Sequence, residues 1–234
     1  MAAVIHLMRH GEVENPRRVV YASLAGFGLS ARGRAEATAS AERLGRRPVE
    51  AIYTSPLERA VETAELVALP HRLVPIVEQG LTEWLLADRW KGVVWEELAT
   101  QFPGELEAYL SDPGQLTFSP ESLEELAARA ADAVRRAAAS ATAEIVVVSH
   151  QDPIQAARLS LTGRRLDLLN LDKPAHASLI SLVASSPWRE LASWRPRLPS
   201  QHSASGDPPE VTDAWPPVQP RISASKSGAE VPST

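Results

Sequence analysis

The sequence contains no cysteine, which excludes disulfides, thiolate metal sites and a cysteine nucleophile. Lysine is almost as scarce: of 24 basic residues only Lys91, Lys173 and Lys226 are lysines. No apolar run approaches the ~20 residues needed to span a bilayer, and the apolar stretch in MAAVIHLMRHGE is too short for a secretory leader. No Gly-rich phosphate loop occurs. An excess of one charge is lacking too, because 24 basic and 29 acidic residues give −5 without a dominant block. That balance argues against a nucleic-acid partner and against a polybasic membrane surface. Together these absences predict a cytoplasmic protein with neither nucleic acid nor membrane as partner; they leave its oligomeric state open.

What is present divides at about residue 196. From Pro196 to Thr234 there are eight prolines in 39 residues, with Ser and Gly between isolated apolar residues. Such a segment cannot bury enough surface to offset its ordering entropy, so a disordered tail is expected over 196–234. Residues 1–195 are expected to form one folded domain. Within it Ala3–Met8 reads as a strand buried on both faces. A helix follows from Ser30 to about Arg47, then a short strand over Ala51–Thr54. Ser55-Pro56-Leu57-Glu58 has the form of a capping box opening a helix to about Ala68. A further strand is expected near Leu73–Val77. Leu81–Gly114 is Trp-rich and reads as irregular or short-helical. Ser119-Pro120-Glu121 is expected to start a long Ala-rich helix to about Ser140. Glu144–Val148 is a strand, Gln151–Thr162 a helix, and Ser178–Ala184 and Trp188–Trp194 two last strands. Strands separated by helices predict a three-layer α/β/α sandwich around a mainly parallel sheet.

Open α/β sheets bind ligands beyond the carboxyl ends of their strands. There the first strand ends in Arg9-His10-Gly11-Glu12, and the late strand ends in Ser149-His150. The second strand ends at Thr54, with Arg59 in the first turn of the next helix. Two arginines and two histidines are thus expected on one edge, beside helix N-termini that favour anions. The set suits a phosphoryl group with a histidine available to attack it. No residue cluster has metal-ligand spacing, and the chemistry requires no metal or cofactor.

The segments LMRHGEVENP, YTSPLERAVETAE and VVVSHQDPI, in this order and spacing, resemble the histidine phosphatase superfamily, also called phosphoglycerate-mutase-like. The resemblance implies that fold over almost all of 1–195 and a phosphatase acting on a small-molecule phosphomonoester. It implies that His10 is the nucleophile that becomes phosphorylated. Arg9, Arg59 and His150 would hold the phosphoryl oxygens, His150 counting also among the catalytic residues. Glu83 would be the acid, and Asn15 lies near a position where the family has a phosphate-contacting asparagine. Three departures stand out. Gln151 replaces the usual glycine after the second histidine, and its larger side chain is expected to narrow the site. The loop Tyr21–Ser30 carries small residues at Ala22, Ser23 and Ala25. After Glu83 the chain reads Trp84-Leu85-Leu86 instead of the mutase block, which disfavours a phosphoglycerate-type mutase. A phosphate- or phosphopeptide-binding pseudoenzyme is the other alternative, and the full set of reactive residues disfavours it.

Overall fold

The computed structural model describes residues 3–198. The tail expected over 196–234 lies outside the described residues from Pro199 on. Six strands form one sheet: β1 (Val4–Arg9), β2 (Val49–Thr54), β3 (Ile76–Val77), β4 (Glu144–Ser149), β5 (Leu179–Val183) and β6 (Arg189–Trp194). Their order is β3-β2-β4-β1-β5-β6. The pairs β3/β2, β2/β4 and β4/β1 are parallel, whereas β5 runs antiparallel to both β1 and β6. The sheet is therefore mainly parallel, as expected, with an antiparallel hairpin closing one side.

Alternation along the central strands explains the layers. Ile5 and Leu7 of β1 and Ile145 and Val147 of β4 point to one face, where they pack on α6 (Leu123–Ala139) and α7 (Gln151–Leu161). Met8, Val146 and Val148 point to the other, against α1 (Ala31–Leu44) and α2 (Glu58–Ala68). Both faces are covered by helices, so β1 and β4 read as continuous apolar runs. A third cluster forms from the Trp-rich segment, which folds into α3 (Leu85–Arg89), α4 (Leu98–Gln101) and α5 (Glu105–Ser111). Its centre is Trp84, Trp90 and Tyr109, all buried.

Two helix starts differ from the sequence reading. Helix α2 begins at Glu58 after Leu57, with no side-chain cap; the Ser55 hydroxyl accepts from the Leu57 N–H at 3.3 Å and meets His150 Nε2 at 2.7 Å. Glu58 instead accepts from the backbone of Gly26 at 3.0 Å. Helix α6 is capped by Ser122 in a capping box with Glu125, whereas Ser119 donates to the Glu121 carbonyl. Among the described residues no helix is long and apolar enough to cross a membrane.

Candidate active site

The parallel strands bring their carboxyl ends together. The His10 N–H donates to the Ser149 carbonyl at 3.0 Å and the Ser55 N–H to the Val148 carbonyl at 3.0 Å. Residues from three strand ends are thereby fixed side by side. Gly11 meets Gly33 of α1 so closely that a Cβ at Gly11 would lie 2.4 Å from the Gly33 carbonyl oxygen. Only glycine fits the third position of the Arg-His-Gly run.

His10 is buried, and its Nδ1–H donates to the Gly11 carbonyl at 2.7 Å. That bond places the ring's lone pair on Nε2. Burial, then the charge of Arg59 and that of the other neighbouring cationic groups, hold the imidazole well below its ordinary pKa. The ring is neutral at pH 7 and its Nε2 is nucleophilic. Arg59 Nε–H donates to this nitrogen at 3.3 Å, while its Nη2 donates to the Ala22 carbonyl at 3.0 Å. The guanidinium is buried and lies 4.6 Å from the centre of the Tyr21 ring.

The His150 ring is 5.2 Å from that of His10 and equally buried. Its Nε2 meets the Ser55 hydroxyl, and its Nδ1 lies 3.9 Å from a Glu83 carboxylate oxygen. Burial is the main reason it too is held well below the ordinary imidazole range, with Arg59 next. Glu83 is pushed up to about 7, first by burial and then by the negative charge of Asp152. Its backbone is fixed from α6: Arg129 donates to the carbonyls of Gly80, Thr82 and Glu83 at 2.7–3.0 Å. The same guanidinium is ion-paired with Glu121 at 2.5 Å.

The structure thus brings His10, Arg9, Arg59, His150 and Glu83 to one place. Asn15 is different, because its carboxamide turns back on its own loop and bonds both backbone groups of Val19. Gln151 lies beside Arg9. It donates to the Pro174 carbonyl at 3.3 Å, the same oxygen that accepts from Arg9 Nη1 at 3.2 Å. The loop of small residues is held at Ser23, whose N–H donates to Asp88 at 3.1 Å. Sequence reasoning missed His176, Ser55 and Arg129. His176 packs its ring 5.8 Å from His10, and the N–H of Ala177 donates to the His10 carbonyl. Burial, and next the charge of Arg9, hold His176 well below its ordinary pKa. No local sequence signal marks these three, since their partners lie far away along the chain.

Several buried polar atoms of the residues gathered here have no partner within the protein: Arg9 Nε, His150 Nδ1, Gln151 Oε1 and His176 Nε2. Buried polar atoms left unpaired cost about 1–3 kcal/mol each, and the Arg9 nitrogen among them suits a ligand rich in acceptors. Among the described residues no group of three or more His, Asp or Glu side chains is placed to hold a metal ion.

The family model described as histidine phosphatase superfamily (branch 1) matches residues 5–195. An uncharacterised protein of Mycobacterium tuberculosis is 38% identical over 175 residues, covering 69% of this chain and 80% of that protein. Phosphoserine phosphatase 1 of Hydrogenobacter thermophilus is 32% identical over 161 residues, covering 67% and 75%. A mycobacterial glucosyl-3-phosphoglycerate phosphatase solved with inorganic phosphate superposes with a TM-score of 0.70. It is 28% identical, and the match covers 82% of this chain and 97% of that one.

Proposed function

This chain belongs to the histidine phosphatase superfamily and is a phosphatase of that family, and from that premise we propose that it hydrolyses small-molecule phosphomonoesters through a phosphohistidine on His10. The observation that carries this reading is a buried, neutral His10 whose Nε2 lone pair faces the Arg59 guanidinium at 3.3 Å, beside buried nitrogens without a partner. A phosphomonoester dianion repels nucleophiles, and guanidinium forks offset that repulsion by neutralising its oxygens. Arg9 and Arg59 take this role, with His150 donating from Nδ1 while the Ser55 hydroxyl donates to its Nε2. Asn15 is assigned to closing its own loop.

In the first step the His10 Nε2 lone pair forms a bond to phosphorus. The bond from phosphorus to the ester oxygen breaks, and its electron pair leaves with that oxygen, which takes the proton of Glu83. In the second step a water oxygen attacks phosphorus as the Glu83 carboxylate takes its proton. The phosphorus–nitrogen bond breaks, the electron pair returns to Nε2, and inorganic phosphate departs. Every proton transfer is made by residues of this chain, so the reaction needs no metal. The absence of the mutase block after Glu83 supports transfer to water.

Purified protein mixed briefly with substrate should carry a phosphoryl group that is labile in acid and stable in alkali. His10→Ala should lose both the label and turnover, and chelation should leave wild-type turnover unchanged. Turnover by His10→Ala without a labelled species would overturn the covalent route. Loss of activity on chelation, restored by a divalent ion, would overturn metal independence.

A further inference from the structure

Beside the site lies a group of polar side chains that the two steps above do not use. Asp152, in the first turn of α7, is 6% exposed, and Tyr109 of α5 is fully buried. Lys173 reaches Asp152 at 2.6 Å, and the Tyr109 hydroxyl donates to the same carboxylate at 3.0 Å. Lys173 also contacts the Tyr109 hydroxyl and lies 4.7 Å from the centre of its ring. Burying an ion pair costs desolvation that a well-packed apolar group of the same volume would not incur. Stability is therefore a poor reason for this pair.

Position supplies a better one. The ring of Tyr109 packs 6.0 Å from that of Trp84, the residue after Glu83. Asp152 follows His150 by two residues, and His150 Nδ1 is 3.9 Å from the Glu83 carboxylate. The cluster is thus linked to the acid through Trp84, whose N–H donates to the Glu83 carboxylate, and through His150. The groups facing Glu83 can be sorted by sign. Arg59 from α2 and Arg9 from β1 favour its ionisation, as does the bond from the Trp84 N–H. Arg129 from α6 holds the Glu83 carbonyl but is paired with Glu121, and His150 is neutral. Asp152 is the negative charge that opposes ionisation. Lys173 also attracts the Glu83 charge and favours its ionisation; without Asp152, burial alone would oppose these cations.

Taking Glu83 as the acid of the proposed reaction, we propose that the Asp152–Lys173–Tyr109 cluster is a positioning device for that acid. Lys173 holds the Asp152 carboxylate in place, the charge of that carboxylate adds to burial in favouring the protonated form of Glu83, and the Tyr109 ring packs on Trp84. Lys173 is also joined to Pro174, whose carbonyl holds Arg9, so one loop sets both the acid's proton and the phosphate clamp.

Asp152→Asn is isosteric and keeps an acceptor for Tyr109 and Lys173. The readout is the pH profile of kcat/KM on an alkyl phosphate, where activity falls once Glu83 loses its proton. Asp152→Asn should move that alkaline limb to lower pH by about one unit, a loss of about tenfold above pH 7.5. Activity near pH 5.5 should stay within about threefold of wild type. Tyr109→Phe retains the charge pair and should leave the limb where it is. If Asp152→Asn loses the same factor at every pH, or leaves the limb unmoved, the cluster is structural and the proposal fails. A limb moved equally by Tyr109→Phe would also overturn it. Glu83→Gln separates the two readings: it should abolish the limb, and a limb that persists there would refute Glu83 as the acid and the cluster's role with it.

Discussion

Glu83 is a carboxyl group asked to do two opposite things. It must be protonated when the ester oxygen leaves and ionised when water attacks the phosphohistidine. A value near 7 meets both demands at neutral pH, and burial is its main source. The need for an acid depends on the leaving group. A nitrophenolate departs unaided, whereas an alkoxide is strongly basic and requires a proton. Glu83→Gln should therefore slow phosphorylation by an alkyl phosphate by ~10²–10⁴, in the range usual for a positioned acid. Phosphorylation by nitrophenyl phosphate, read as the burst of nitrophenol, should change by less than about tenfold. The burst must be measured because the same substitution removes the base and slows the second step. Equal slowing of both bursts would show that Glu83 is not the leaving-group acid. Asp88, five residues further along the chain, accepts from the N–H of Ser23.

Among the elements, the loop carrying Glu83 depends on α6. Helix α6 is amphipathic, with Ala130, Val134 and Ala137 buried against the sheet and Leu126 against the Trp-rich cluster. From its flank Arg129 gives donors to three loop carbonyls, those of Gly80, Thr82 and Glu83, while Glu121 balances its charge. Hydrogen bonds to charged groups are worth ~1.5–3 kcal/mol each where buried, and less here because Arg129 is partly exposed. Arg129→Met should lower the melting temperature by roughly 4–8 °C, about 2 kcal/mol for a domain of this size. It should also slow alkyl phosphate turnover more than aryl, because the acid loses its position while His10 keeps its own. An equal effect on both substrates would place Arg129 in stability alone. The same elements show how far the sequence could be read. Strands β1 and β4 were legible because they are buried on both faces, so composition alone marks them. The Arg-His-Gly and Ser-His endings were legible because strand ends project such residues to one edge. The starts of α1 at Ser30 and α7 at Gln151 were legible too, but those of α2 and α6 were not, because a hydroxyl near a helix start can find other partners, as Ser55 does in His150. Arg129, Lys173 and His176 were illegible for a related reason. Each acts on residues brought near only by the completed sheet, at separations of 46, 21 and 166 positions from Glu83, Asp152 and His10.

For the molecule as a whole, the site makes stability depend on pH. His10, His150 and His176 are held well below the ordinary imidazole value, in each case first by burial. In the unfolded chain each titrates near ~6.5. Below that pH the unfolded chain takes up protons that the folded one refuses, so the stability present above ~6.5 is lost on acidification. Glu83 has the opposite sign. At about 7 its folded value lies above the ~4.3 of an unfolded glutamate, so between these values the folded form holds the extra proton. Counting the site's groups alone, three histidines against one carboxyl leave a net uptake of about two protons on unfolding below roughly pH 6.5; His6 and His71, also lowered by burial, act in the same direction. Each contributes ~1.4 kcal/mol per pH unit, so stability should fall by about 2.7 kcal/mol per unit on the steep part. The melting temperature should hold from pH 8 to about 6.5 and then drop by roughly 5–10 °C per unit. His176→Asn removes one of the three groups and should reduce that slope by about half, since one proton of net uptake would remain. Inorganic phosphate should raise the melting temperature at neutral pH by binding only the folded form. A melting temperature that stays level or rises between pH 7.5 and 5.5 would contradict neutral, buried imidazoles lining the site. The two dependences meet: alkyl phosphate turnover needs Glu83 protonated, below about pH 7, and the fold needs the imidazoles neutral in both states, above about 6.5. The protein should therefore work best, and survive longest while working, in the narrow interval between them.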